Sequence, residues 1–246
     1  VLNMTVLAKT YGTALQLLFA VLNPFKKRVI STECEVHKFL NLQALNILRK
    51  DKHFTEYAYF KQYIQDINEG AVWADQDFKS SNHFYNPYTG KGMYGRSSAK
   101  DLALTYCNKS INLIKKGEID DAMFYLGATA HLIQDMAVPQ HANIRLLDNH
   151  RQYENYVIKT YQNVQDYRDL NGVYKLKSLD NYFRFNARVS LKVYKHYRHI
   201  KKDDERFDKI TRCVIPLAER TTAGFMLTFY EQVIEGKLPT TSDQHL

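Results

Sequence analysis

Five side chains able to hold a metal ion crowd into residues 131–154: His131, Asp135, His141, His150 and Glu154. His131 and Asp135 stand four apart, and so do His150 and Glu154. On an α-helix that spacing stacks both side chains on one face, about 6 Å apart along the axis. Neutral imidazole beside carboxylate is a common donor set for zinc. Pro139 cannot continue a helix, so His141 is expected just past the end of the first one. The stretch reads as helix, break, helix, with its donors facing one point. A lone His or Asp on a helix is more often solvated, or a cap, than a ligand. Two such pairs in one stretch move the balance towards a metal site.

The elements that must position these donors are helical. The chain has 246 residues, 45% hydrophobic and 24% charged, with only 10 Gly and 5 Pro. That length allows one large core, and 18 Tyr and 13 Phe suit packing between helices. A first helix is expected from Thr32, as N-cap, with Glu35 completing a capping-box pattern; Val36, Phe39, Leu40, Leu45 and Leu48 form its apolar stripe, and His37 lies near its start. Apolar spacing predicts a second helix over 54–68, ended by Gly70, and further ones over 98–115, 118–136, 182–198 and 211–235. The helix carrying Glu154 is expected to run on to about residue 166. Residues 73–95 show no clean period and are crowded with turn formers, and a long irregular segment in a helical protein usually carries function. Asp75, Asp77 and His83 are its candidate donors. No heptads, repeats or linkers appear, so the expectation is one all-α domain, a multi-helix bundle over 31–238, preceded by a separate segment, 1–30.

That leading segment is apolar over 14–22 and then basic at Lys26, Lys27 and Arg28, beyond Pro24. It is too short to cross a membrane, and its charge order is wrong for a signal peptide. A helix packed on the body is preferred to a pro-segment. The formal net charge is +8, and 12 Lys and Arg against 5 acids lie between residues 175 and 212. Such a balance reads either as a solvated helix face or as attraction to anionic lipid or nucleic acid. Cys34, Cys107 and Cys213 have no CxxC spacing and give little support to a disulfide framework.

The runs SNHFYNP (81–87), YLGATAHLIQDMAVPQHAN (125–143) and RTTAGF (220–225), with the His150/Glu154 pair, resemble the bacterial zinc-dependent phospholipase C family, whose distant branch includes the S1/P1 nucleases. The resemblance covers about residues 33–235 and is most specific in HLIQDMAVPQHAN. It implies a single helical bundle with a trinuclear zinc cleft, and hydrolysis of the glycerol-side phosphodiester of phospholipids to diacylglycerol and a phosphorylated headgroup. It implies that Asp75, His83, His131 and Asp135 hold one zinc, that Asp135 bridges to a second on His37, and that His141, His150 and Glu154 hold a third. Asp77 is the alternative to Asp75, which would also activate the attacking water. The membrane surface would be the substrate, nucleic acid being the less favoured partner. A monomer, secreted or membrane-associated, is expected.

The chain departs from that family in two places. Mature members begin with a Trp whose amine and carbonyl bind the second zinc; no Trp precedes His37 here, and Pro24 stands at the family's spacing. Unless the chain is cut, Cys34 is the candidate replacement, since a thiolate is a good zinc ligand; a buried small hydrophobe is its blander reading. Gln76 and Ser80 stand where phosphatidylcholine-preferring members carry an acid and aromatic rings, which leaves the headgroup open. Two other functions compete with the lipase: a nuclease of the related branch, supported by the basic segment, and a zinc-stabilised membrane-binding protein without turnover.

Overall fold

The structure is a computed structural model that describes residues 34–76, 83–93, 97–143, 149–163, 165–168 and 172–237. The leading segment, Thr32, Asp77 and Ser80 lie outside those residues. Among them stand nine α-helices and no strand. These are α1 (Glu35–Lys50), α2 (Phe54–Gln62), α3 (Ile64–Gln76), α4 (Ala99–Lys116), α5 (Ile119–Asp135), α6 (Pro139–Asn143), α7 (His150–Thr160), α8 (Leu179–Tyr197) and α9 (Asp203–Phe229). A π-turn, Tyr230–Ile234, extends α9. No helix among the described residues is long and apolar enough to cross a membrane.

Local chemistry sets many of the boundaries. Ser98 and Asp101 form a reciprocal capping box at the start of α4, and Gly117 ends that helix in the left-handed region at φ 79°. The Ser178 hydroxyl accepts from the Asn181 N–H at the start of α8. Asp203, Asp204 and Glu205 occupy the first turn of α9, where carboxylates meet the positive end of the helix dipole.

Helix α5 is the centre of the molecule. Every residue from Leu126 to Asp135 is buried, as expected of a helix covered on all sides. On one flank it lies against α3 with no side chain between the backbones: a Cβ on Gly70 would stand 1.7 Å from the Phe124 carbonyl oxygen, and one on Gly127 would stand 1.9 Å from that of Ile67. The two helices run parallel. Asp66 near the start of α3 feels the charge of Asp120 near the start of α5, and Asp75 near the end of α3 comes together with His131. On another flank, Asn186 of α8 donates to the Ile133 carbonyl at 3.0 Å and Ser190 to that of Met136 at 3.0 Å. These bonds tie α8 to carbonyls at the end of α5.

Several sequence expectations require correction. Gly70 does not end a helix; it lies inside α3, as a point of close approach. The expected 54–68 helix is instead broken at Tyr63, which neither Gly nor Pro marks. Residues 73–76, read as irregular, belong to α3, so Asp75 stands on a helix. The first helix begins at Glu35 with Cys34 in the capping position and no side-chain cap bond, so Glu35 is its first residue. Helix α7 stops at Thr160, short of the expected 166. Helix α9 begins at Asp203, earlier than residue 211, and continues through Pro216.

Candidate metal centre

The C-terminal turn of α5 carries His131 and Asp135 into a common point with donors from five other places in the chain. Asp135 is almost fully buried and is the hub. Its Oδ2 lies 3.0 Å from His83 Nδ1, 3.3 Å from His131 Nε2 and 3.7 Å from His141 Nδ1; its Oδ1 lies 3.6 Å from His37 Nε2. Three donor groups emerge, the ligand atoms of each lying within 4.8 Å of one another: Cys34 with His37 and His131, Asp75 with His83 and His131, and His141 with His150 and Glu154. All eight nitrogen and oxygen donors expected from the sequence are thus drawn into one region, with Cys34 among them. His131 is shared between two groups.

Neighbouring residues fix which ring nitrogen faces inward. Asn41 donates to Asn68 at 3.0 Å, and Gln134 Nε2 donates to Asn41 at 2.9 Å and to Thr222 at 3.1 Å. The Gln134 carbonyl oxygen is therefore the atom facing His37 Nδ1, at 2.7 Å. A proton on Nδ1 satisfies that contact and leaves the Nε2 lone pair turned to Asp135. His141 is treated alike: its Nδ1–H donates to the His83 carbonyl at 3.0 Å, and Nε2 faces His150 Nε2 at 2.9 Å. Phe84 stacks on the His141 ring with 9° between planes. Glu154 Oε1 closes this group, 2.9 Å from His150 Nε2. Such orienting partners are what a metal-binding imidazole requires. Gln134 and Phe84 were missed in the sequence; only their contacts with distant residues reveal them.

The electrostatics suit a cation. Burial and the neighbouring His131 charge push His37 down to about 4. Burial also opposes charging His131 and His141, but the Asp135 carboxylate outweighs it, raising His131 and taking His141 to about 9. Asp135, despite burial, is held well below the usual carboxylate range by His131 and His141. Glu154 is drawn to about 2, hydrogen bonds from His141 and His150 overcoming desolvation. Burial, and then the carboxylates of Asp75 and Asp135, push the Cys34 thiol up. Three buried atoms at the hub, His83 Nε2, His131 Nε2 and Asp135 Oδ2, make no well-aligned hydrogen bond, although His131 Nε2 and Asp135 Oδ2 stand 3.3 Å apart. Buried polar atoms are nearly always satisfied, so this cluster of orphans fits a bound cation.

These groups open into a cleft of about 240 Å³. Its lining mixes the donors Cys34, His37, Asp75, Asp135, His141 and Glu154 with the aliphatic side chains of Leu40, Val138, Val157, Ile158, Val214 and Ile215 and the ring of Tyr153. Ile158 stands exposed. The basic segment is partly neutralised locally: Lys175 pairs with Glu231, Arg184 with Asp180, Arg206 with Asp203 and Arg212 with Asp208. The described thiols are all free, Cys34 and Cys107 buried.

Known proteins bear on this geometry. Residues 36–212 match the family model described as zinc dependent phospholipase C. The chain is 23% identical over 242 residues to a phospholipase C of Clostridium perfringens, covering 82% of this chain and 60% of that one. It is 24% identical over 240 residues to one of Clostridium novyi, covering 83% and 60%. It thus spans about 60% of the length of these curated relatives. Among solved structures it is similar to the alpha toxin from Clostridium absonum, with TM-score 0.71, 18% identity, and 80% and 63% of the two chains covered. It is equally similar to the alpha-toxin of a Clostridium perfringens avian strain, with TM-score 0.70, 18% identity, and 82% and 64% covered. A family model spanning most of the chain, a shared all-α fold and a buried cluster of orphaned donors agree: this chain belongs to the zinc-dependent phospholipase C family.

Proposed function

We propose that the chain is a zinc-dependent phosphodiester hydrolase that cleaves phospholipids on the glycerol side of the phosphate. The observation that carries this reading is the mixed cleft, in which charged metal donors and aliphatic side chains share one lining. A phosphate bearing a greasy glycerol ester suits both kinds of lining at once. A nucleotide strand would call for several stacking rings and a positive track, whereas the described lining is mostly aliphatic, with Tyr153 its one Phe, Tyr or Trp ring and no Lys or Arg.

His37, Asp75, His83, His131, Asp135, His141, His150 and Glu154 would hold three zinc ions, with Asp135 between two of the groups. Bound zinc supplies Lewis acidity towards the phosphoryl oxygens and acidifies water towards neutrality. The chain's own residues do the rest. Asp75, exposed at the end of α3, accepts the proton of the attacking water at its carboxylate oxygen. The water oxygen forms a bond to phosphorus as the phosphorus–glycerol oxygen bond breaks, and a proton passes to the leaving alkoxide. Gln134 and the His83 carbonyl hold protons on the outer nitrogens of His37 and His141, so the inner lone pairs stay available. The aliphatic side chains of the lining seat the glycerol end and exclude water there. Gln76 ends α3, and its side chain and Ser80 lie outside the described residues, so the headgroup is decided by assay. The likeness to clostridial alpha-toxins supports action outside the cell, on a membrane surface, and the chain is read as a monomer.

The test is a paired assay of the zinc-loaded chain on phosphatidylcholine vesicles and on single-stranded DNA, with phosphatidylethanolamine and phosphatidylglycerol vesicles as further headgroups. Release of diacylglycerol from any of them, without DNA cleavage, supports the lipase. DNA cleavage alone would select the nuclease branch. Bound zinc with neither activity would select a binding protein.

A further inference from the structure

We infer that Cys34 is a metal ligand of this chain, its thiolate sharing with His37 and Asp135 the metal nearest the start of α1. The inference deepens the zinc reading above and rests on it. Cys34 is not an isolated thiol. It is buried, its Sγ stands 4.0 Å from His131 Nδ1, and its donor atom groups with those of His37 and His131 within 4.8 Å. It also interacts with both Asp75 and Asp135. Without a cation a thiol is poorly placed there, among two carboxylates and imidazoles whose inner nitrogens are already turned to the same point. The second, independent observation is the set of orphans in the same cluster: His131 Nε2, His83 Nε2 and Asp135 Oδ2 are buried and make no well-aligned hydrogen bond.

The sequence puts sulfur here through backbone geometry. Cys34 occupies the capping position of α1, with φ −74° and ψ 48° and no side-chain cap bond. A Ser, Thr or Asp in that position would turn its oxygen onto the free N–H groups of the first turn; sulfur is a weak acceptor and faces the donor cluster instead. His37 lies three residues on, one turn into the helix, so one turn of α1 delivers both donors. A tetrahedral zinc with one sulfur and one nitrogen ligand separates them by about 3.6 Å, within the 4.8 Å that spans the donor atoms of Cys34, His37 and His131. Cys, His and a carboxylate leave one position open, the pattern of a zinc that meets substrate. As the sulfur–metal bond forms, the sulfur–hydrogen bond breaks and the proton leaves to solvent. Cys107 and Cys213 belong to none of the donor groups among the described residues, so any sulfur found on the metal is assigned to Cys34.

The test uses the full chain, stripped with chelator and reloaded with cobalt(II). The expected result is a sulfur-to-cobalt charge-transfer band in the near ultraviolet worth one thiolate, with one sulfur neighbour seen by X-ray absorption. Cys34→Ser should lose the band and one equivalent of bound metal, while Cys107→Ala and Cys213→Ala keep both. Cobalt uptake without a sulfur signature would overturn the role of Cys34 and leave the metal centre standing. A band that survives in Cys34→Ser would also overturn it. Failure of the wild-type chain to take up any metal would overturn the centre itself. If Cys34→Ser does not fold, the sulfur neighbour in the wild-type chain decides the matter alone.

Discussion

Helix α5 belongs to two regions of opposite character. Along its first half, Gly127 lies against Ile67 and Gly70 against Phe124, backbone on backbone, in a dry seam with α3. Along its last turn, His131, Gln134 and Asp135 are equally buried but surrounded by charge. The seam holds by shape and tolerates no added atom. The site holds by charge and leaves polar atoms unpaired for a guest. The first makes the second possible, because the parallel seam fixes how far α3 and α5 advance together, and so brings Asp75 alongside His131.

The contrast can be broken from either side. The largest effect is expected at the hub. Asp135→Asn keeps the shape but removes the charge shared by four imidazoles, and phospholipid turnover should fall on the order of a thousandfold or more. Far-ultraviolet circular dichroism should change little, and near-full turnover would refute the hub. In the seam the loss should be structural. Gly127→Ala places a methyl against the Ile67 backbone, which cannot swing away, and should cost about 3 kcal/mol in denaturant unfolding. Zinc content should drop with it, since Asp75 and His131 then separate; a variant that unfolds easily yet binds zinc normally would uncouple seam from site. A smaller effect belongs to Gln134→Ala, which frees the His37 ring: zinc affinity should fall roughly 10–100-fold by calorimetry.

The smallest expected effect is on pH. In the metal-free chain His141 titrates at about 9, above its unfolded value of about 6.5. The folded chain binds more protons across that window, so this contribution is full below pH 6.5 and disappears as pH rises to 9. His37, held near 4, acts oppositely: its contribution is lost as pH falls from 6.5 to 4. Glu154, held near 2, contributes above its unfolded value of about 4.3, and that part fades as pH falls towards 2. Thermal melts in chelator should therefore be highest near pH 6.5. Saturating zinc should flatten the alkaline side, because the metal replaces the proton on His141. Gly127→Ala should shift the whole curve down without changing its shape.

The site was more legible in the sequence than the seam. His131 with Asp135, and His150 with Glu154, announce themselves because a helix turns four-residue spacing into a shared face. Gln134 stands beside Asp135 but carries no such mark; its role exists only through His37, Asn41 and Thr222, which the fold brings from elsewhere. Gly70 was misread because glycine ends helices and also lets helices touch, and only the Phe124 carbonyl tells the two apart. Asp75 stands out as a candidate donor of a segment that reads as irregular, because the turn formers after it hide the last turn of α3. The break at Tyr63 has no local signal.

Asp135 draws on donors that lie both far before and far after it in the chain, from His37 in the first described helix to Glu154 in the seventh. During synthesis, no partial product can assemble the complete cage until Glu154 has cleared the ribosome and α7 has docked. Metal capture is therefore a late event in maturation, and an apo chain waiting for it carries a buried carboxylate and its surrounding imidazoles with no cation between them.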